Sequence, residues 1–330
     1  MNILFSLIAT FVLIVVAIIG VETAGLEFIF GVIIPYAAIL TFLLGIIYQV
    51  VNWARSPVPF RIPTVAGQQK SLDWIKNSRL ESPHTTLGVI GRMFLEIFLF
   101  RSLFRNTKVE LKNGPNLVYG SSKYLWLGAL AFHWTFLVII LRHFRYFTEP
   151  IPAFVPFLQN LDGFLQIGIP IIYITNIVIL AALLFLFFRR ISDPKLKYFS
   201  LASDYFPLLL IMSIVITGIL MRYFTKVDII YVKELMTGLF SFNPVLPQGI
   251  GVLFFIHLFL VCVLLAYFPF SKLTHMAGVF LSPTRNLANN NRMKRHINPW
   301  NAPVRIHTYE EYEDEFREKM KAAGLPLDKE

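Results

Sequence analysis

Six stretches of this chain, at about 3–20, 27–51, 123–145, 164–188, 205–224 and 249–270, are apolar over lengths that suit a bilayer crossing. Such a crossing takes roughly 20 mostly apolar residues. Inside hydrocarbon every backbone N–H and C=O must be bonded within its own segment or a closed barrel, so runs of this length fold as helices. The expected fold is therefore an all-α integral membrane protein with six transmembrane helices. Composition agrees: 56% of residues are hydrophobic and 15% charged, where a soluble domain carries about 25% charge. The first stretch has the position of a signal peptide and is followed by Ala24-Gly25. Its opening residues hold no Lys or Arg, and a signal peptide starts with a basic region; it is read as a span.

The connections give an orientation. Between the second and third spans lie Arg55, Arg61, Lys70, Lys76, Arg79, Arg92, Arg101, Arg105, Lys108 and Lys112. Arg189, Arg190, Lys195 and Lys197 follow the fourth span, and Lys272, Arg285, Arg292, Lys294 and Arg295 the sixth. The first connection carries Glu22 and Glu27, and 146–163 carries Glu149 and Asp162, without a cation. Cations stay on the cytoplasmic side, so a multi-pass protein of the cell membrane with both termini cytoplasmic is expected. Arg142, Arg145, Arg222, Lys226 and Lys233 run against this bias without reversing it. The net charge of +10 is membrane topology and not a nucleic-acid footprint. A single cysteine, Cys262, can neither ligate an iron–sulfur cluster nor form an internal disulfide.

Four regions follow. Residues 1–51 hold two N-terminal spans. Residues 52–122 form a cytoplasmic basic segment, opened by Pro57, Pro59 and Pro63, in which 86–105 reads as one membrane-adjacent helix. Residues 123–281 form a four-helix core. Residues 282–330 form a polar cytoplasmic tail with a charged helix over 308–323, ended by Gly324-Leu-Pro. Pro150, Pro152 and Pro156 mark a short outer loop.

Within the core, two spans carry two histidines each: His133 and His143 on the third, His257 and His275 on the sixth. A polar ring inside a bilayer is costly and marks function by default. His133 and His143 are separated by about 15 Å of helical rise, and His257 and His275 by about 27 Å on an unbroken helix. Pro269 and Ser271 are expected to kink the sixth helix and shorten that distance. The two helices run antiparallel, so His133 pairs with His275 near the cytoplasm and His143 with His257 near the outer face. Two imidazoles meeting across a bundle suit the axial positions of haem b, giving two stacked haems. Gly128, Ala129, Ala131, Ala277 and Gly278 leave room for a macrocycle; Arg142, Arg145, Arg222 and Lys272 are the candidate propionate partners. His84, His296 and His307 fall in polar segments and read as surface residues.

The H-x9-H and H-x17-H spacings of these four histidines, over roughly residues 123–281, resemble the haem-ligand pattern of the gamma subunit of respiratory nitrate reductase. The additional N-terminal helix, the basic 52–122 segment, and the tail with Asn298-Pro299-Trp300-Asn301 and TYEEYEDEFREKMKAAGLP resemble the cytochrome b subunit (DsrM) of the membrane complex associated with dissimilatory sulfite reduction. The membrane cytochrome of heterodisulfide reductase is similar as well. These resemblances imply a di-haem b helical bundle that is the quinol-interacting electron-transfer subunit of an oxidoreductase complex, with terminal catalysis in a partner. Menaquinol would be oxidised near the His143–His257 haem, and electrons would reach the His133–His275 haem and then a cytoplasmic iron–sulfur subunit resembling that of heterodisulfide reductase. The other implied partners are a periplasmic-side multihaem cytochrome c, a ferredoxin-like subunit and a second integral membrane subunit. Arg145, Tyr146 and Arg222 are quinol-site candidates by depth alone. The rival readings are a transporter relaying protons through its histidines and a non-redox membrane anchor. The absence of charge from the middle of the spans and of an inverted pair of broken helices speaks against the transporter.

Overall fold

The computed structural model describes residues 2–56, 68–163, 171–293 and 305–329. Six helices have the length and apolarity to cross a membrane: Asn2–Thr23, Ile29–Ala54, Lys123–Tyr146, Ile174–Ser192, Ala202–Tyr223 and Val252–Phe270. They lie where the sequence puts them, and the chain is an all-α, multi-pass membrane bundle. Residues 164–170, the expected start of the fourth span, lie outside the described residues, as do Pro57, Pro59, Arg61, Pro63, Lys294, Arg295, His296 and Asn298–Asn301.

In chain order the elements are α1 (Asn2–Ile18), α2 (Ile34–Ala54), α3 (Thr86–Leu99), α4 (Arg101–Arg105), β1 (Thr107–Lys112), β2 (Asn116–Ser121), α5 (Lys123–His143), α6 (Phe154–Asp162), α7 (Ile174–Ser192), α8 (Pro194–Phe199), α9 (Ala202–Tyr223), α10 (Ile229–Phe240), α11 (Val252–Tyr267), α12 (His275–Leu281), α13 (Pro283–Asn286) and α14 (Tyr309–Ala322). The chain forms two compact units, one of residues 1–56 and 90–286, the other of 57–89 and 287–330.

In the first unit α11 is the hub. It packs against α1, α2 and α9, while α9 packs against α7 and α7 against α5. The core is built from Leu210 and Ile214 of α9, Leu235 and Leu239 of α10, and Phe254, Phe255, Leu258, Leu260 and Cys262 of α11. The outer faces of α1 and α2 expose Leu4, Phe5, Phe11, Leu43, Leu44 and Ile47. An apolar exterior this continuous is unusual in water and suits contact with lipid. Hydroxyls in the spans turn back onto their own helices: Ser6 Oγ donates to the Asn2 carbonyl, Thr10 Oγ1 to Ser6 and Thr41 Oγ1 to Ala37. That keeps a polar hydrogen satisfied without water. Close helix approach uses glycine; a Cβ on Gly128 of α5 would meet the Phe185 ring of α7 at 2.6 Å.

In the second unit α14 starts at a capping box. Thr308 Oγ1 accepts from Glu311 N–H, and the Glu311 carboxylate accepts from Thr308 N–H. Glu313, 1% exposed, accepts from the Asp328 and Lys329 amides and from Arg317. Gly324, at φ +66°, stops the helix as the sequence suggests.

Four expectations are corrected. The single helix over 86–105 is two, because the chain turns left-handed at Phe100. The sixth span does not carry His275: α11 ends at Tyr267, short 3-10 turns cover Phe268–Phe270 and Lys272–Thr274, and His275 opens α12. Extended backbone at Ser271, whose hydroxyl accepts from Leu273 N–H, breaks the helix there instead of kinking it. The loop after the third span contains α6, with Pro156 in its first turn, where a missing N–H costs nothing. The basic segment also contains the β1–β2 hairpin, turned at Asn113 (φ 49°) and Gly114 (φ 91°).

The α5–α7 crossing yields a test. Gly128→Val should destabilise the folded protein by about 1–3 kcal/mol, the usual range for overpacking, and lower its thermal unfolding midpoint in detergent. Gly91→Ala, with open space around the new methyl, should not lower it.

Candidate functional site

Of the four candidate histidines, His133 and His143 lie on α5, His257 on α11, and His275 opens α12. The rings of His133 and His275 lie 6.1 Å apart between centroids at an interplanar angle of 80°. His143 and His257 lie within electrostatic range of each other. Each pair takes one ring from α5 and one from the α11–α12 segment, although α5 and α11 do not pack along each other; α7 and α9 intervene. Phe132, Phe136 and Ile139 of α5 and Leu264 of α11 share one apolar cluster with Ile179, Leu183 and Ile211.

Each imidazole is held through the same nitrogen. His133 Nδ1 is 2.7 Å from the Ala129 carbonyl, His143 Nδ1 2.7 Å from that of Ile139, and His275 Nδ1 2.8 Å from that of Lys272. A carbonyl oxygen only accepts, so in all three Nδ1 carries the proton. His257 Nδ1 is 2.9 Å from Thr217 Oγ1. That hydroxyl also lies 2.9 Å from both the Ser213 and Ile214 carbonyls; with its single hydrogen given to one of them, its oxygen is placed to accept from His257 Nδ1–H. Among the described residues no Nε2 of the four makes a hydrogen bond. Each Nε2 is thus left as an acceptor, the tautomer that metal-ligating histidine adopts when Nδ1–H is held by a carbonyl or hydroxyl.

The surroundings fit a flat, apolar, metal-bearing group. Two imidazoles sharing one ion, with metal–nitrogen bonds of about 2 Å, have centroids about 6 Å apart, which is the spacing of His133 and His275. Gly218 leaves its nearest would-be Cβ contact, His257 Cε1, at 3.4 Å, so that ring rests on bare backbone. None of the central window of the α5 span is buried, against 39% for the α11 span. Among the described residues no three His, Cys, Asp or Glu side chains form a cation site, so a metal held here would bring most of its own ligands, as a porphyrin does.

The candidate propionate cations are largely taken. Arg142 is paired with Asp162, donates to Thr175 Oγ1 at 3.0 Å and lies 3.5 Å from the centre of the Tyr173 ring. Arg222 stacks on the same ring at 3.9 Å and donates to the Ile171 carbonyl. Lys272 is bonded to Asp204 at 2.7 Å; its own carbonyl holds His275, so this ion pair braces a histidine. Of the quinol-site candidates, Arg222 is held by this stack and this carbonyl, and its buried Nε has no hydrogen-bond partner among the described residues. Tyr146 is different: its ring lies 5.7 Å from His143, and among the described residues its hydroxyl makes no hydrogen bond. The Arg145 guanidinium, 5.7 Å from the Tyr146 ring, has no ion pair or hydrogen bond among the described residues. Thr237 Oγ1 donates to the Tyr146 carbonyl and lines an open cleft of about 510 Å³ with Glu149, Ile230, Lys233, Ser241 and Val245.

His84 contacts Asn77 and His307 lies beside Glu311, both in the second unit. Sequence reasoning missed Thr217. The available signal was a hydroxyl in the apolar run of α9, which has to spend its hydrogen bonds locally.

The nitrate reductase gamma subunit family model matches residues 94–295, which contain all four histidines. A protein of Archaeoglobus fulgidus described as "Hdr-like menaquinol oxidoreductase cytochrome b-like subunit" is 46% identical over 279 residues, covering 82% of this chain and 83% of its own. A protein of Archaeoglobus profundus with the same description is 43% identical over 274 residues, covering 81% of each. With a matched region that long and relatives that similar over most of their length, the chain belongs to the nitrate reductase gamma subunit family.

Proposed function

We propose that this chain is the membrane subunit of a menaquinol oxidoreductase complex, in which His133 and His275 hold one b haem and His143 and His257 a second. The observation that carries this is that all four Nδ1 atoms are engaged, three by backbone carbonyls and one by the Thr217 hydroxyl, which leaves the Nε2 atoms unbonded among the described residues, with the His133 and His275 rings 6.1 Å apart. When bound, haem supplies reversible one-electron chemistry, its potential set by ligand basicity and burial. The chain's own residues supply the rest. The Ala129, Ile139 and Lys272 carbonyls and the Thr217 hydroxyl orient the imidazoles and raise their basicity. Tyr146 and Arg145, with free polar ends beside His143, are placed to receive and position the hydroxyl of menaquinol, whose proton needs an acceptor within hydrogen-bond reach. The names of the two Archaeoglobus relatives support the menaquinol substrate and an assembly of several subunits.

The distribution of cations supports placing both termini, and the His133–His275 end, on the cytoplasmic side of the cell membrane. There the electron partner is an iron–sulfur subunit resembling that of heterodisulfide reductase, which carries terminal catalysis. The resemblance to the sulfite-reduction branch supports a periplasmic multihaem cytochrome c, a ferredoxin-like protein and a second membrane subunit as the other members. It also supports a role in sulfate respiration.

A dithionite-reduced minus oxidised spectrum with pyridine-haemochrome quantification should give about two b haems per chain, one for each bis-histidine pair. His133→Ala and His143→Ala should each bring this to one or fewer. A folded, membrane-inserted protein without haem would overturn the reading. Thr217→Val removes the acceptor of the His257 Nδ1–H, making that imidazole a poorer donor. In a redox titration it should raise one of the two midpoint potentials by on the order of tens of millivolts and leave the other in place. Tyr146→Phe should keep both haems and slow menaquinol-analogue oxidation by about a hundredfold if the phenol handles the quinol proton; an unchanged rate would remove Tyr146 from the site.

A further inference from the structure

The turn between α3 and α4 carries a conformation that its residue does not favour. Phe100 sits at φ 49°, ψ 46°, a left-handed geometry that glycine adopts without cost and a bulky side chain avoids. Such an outlier persists only where its surroundings hold it, and here they do. Trp126 Nε1 donates to the Leu99 carbonyl at 2.7 Å and Trp134 Nε1 to that of Phe98 at 3.0 Å. The two indoles stand on α5 on either side of His133 and satisfy carbonyls left unpaired at the end of α3. On the other flank Glu96, a buried carboxylate, accepts from Ser102 N–H at 3.0 Å and from Ser102 Oγ at 2.7 Å, and faces Arg285 Nε at 3.4 Å. Arg285 belongs to α13, immediately after the helix that His275 opens.

The corner 96–102 is thus bonded both to the helix of His133 and to the segment that follows His275. It sets the Phe100 ring edge-on to the His133 ring, 4.9 Å between centroids and 80° between planes. Phe132 approaches the same imidazole at 5.0 Å. Two phenyl rings and His275 therefore enclose His133, and Phe100 is the one that comes from outside the spans.

We propose that Phe100 is a positioning residue for the His133–His275 centre, a cover that excludes water and small ligands from it, held closed by the Glu96 clamp. The proposal rests on the haem reading above. A strained phenylalanine where glycine would be relaxed is kept for its ring, and the ring's contact is with a proposed iron ligand. An apolar cover lowers the local dielectric and disfavours the more charged oxidised form, which is one of the protein's levers on potential.

Phe100→Gly tests this without threatening the fold, since it removes the ring while relieving the backbone. In the purified full-length protein, we expect two haems to remain and one of the two midpoint potentials to fall. In the ferrous state a carbon monoxide adduct should appear on that haem alone, carbon monoxide taking the position that His133 gives up once the Phe100 ring no longer holds it, with none in the unmodified protein. Glu96→Gln, which weakens the clamp and leaves the ring in place, should give a smaller change of the same sign at the same haem. Two haems with both potentials unchanged and no carbon monoxide binding in Phe100→Gly would overturn the cover while leaving the haem reading intact. A protein in which His133→Ala costs no haem would instead overturn the reading beneath it.

Discussion

A buried imidazole N–H has to be spent on something, and where these four are spent governs the rest of the centre. An amide or imidazole hydrogen left unpaired in hydrocarbon costs several kcal/mol. His133 and His143 bond the carbonyl four residues back in their own helix, and His275 the carbonyl three residues back. These anchors are local, so they form as soon as the turn forms. His257 is the exception, because its bond crosses to Thr217 on α9. That makes the α9–α11 contact part of the site: one hydroxyl sets both the tautomer of a ring and the register of two spans. The two helices offering histidines are consequently held to different standards, α11 fixed on three sides by the core, α5 fixed mainly through α7.

That difference explains the burial pattern. α11 is the most covered span and α5 the least, and the α5 ring His133 meets His275 at the start of α12. A group ligated by both rings of a pair would cross-link the segments that carry them. On the proposed function, haem binding and folding are therefore linked, since a ligand that binds only the folded state stabilises it.

The spans were legible because a membrane crossing requires nothing beyond length and apolarity, and the histidines because a polar ring stands out in such a run. The approach of His133 to His275 agrees with the antiparallel direction expected of their segments. What was illegible depended on partners remote in sequence. Arg142 and Lys272 looked available for propionates, but Asp162, 20 residues away, and Asp204, 68 residues away, have claimed them. Arg222 looked like a quinol contact, and a stack on Tyr173 has taken it. The Phe100 turn lacks the glycine or proline that normally announces a break, since indoles from α5 and a carboxylate from α3 impose it. The hairpin was signalled by Asn113-Gly114 and passed over in a segment read for charge. At Pro269 the sign of the effect was right and its size was not, because Ser271 adds a capping hydroxyl that starts a new turn.

The two ends of the site are chemically unlike, and the difference suits the proposed function. The Tyr146 ring stands beside His143 with the Arg145 guanidinium 5.7 Å from it, and among the described residues neither polar end has a hydrogen-bond partner. Beside His133 stand Phe100 and Phe132, with the nearby polar groups, Glu96, Trp126 and Trp134, all committed to holding the corner. Quinol oxidation exchanges protons as well as electrons, so its end needs groups that can accept and release a hydrogen bond. An end that passes electrons alone to a protein partner gains from the opposite: an aromatic layer a few ångströms thick hinders an electron little and keeps out water, protons and small oxidants. The strain stored at Phe100 is then the cost of making one end of the bundle deaf to the chemistry at the other.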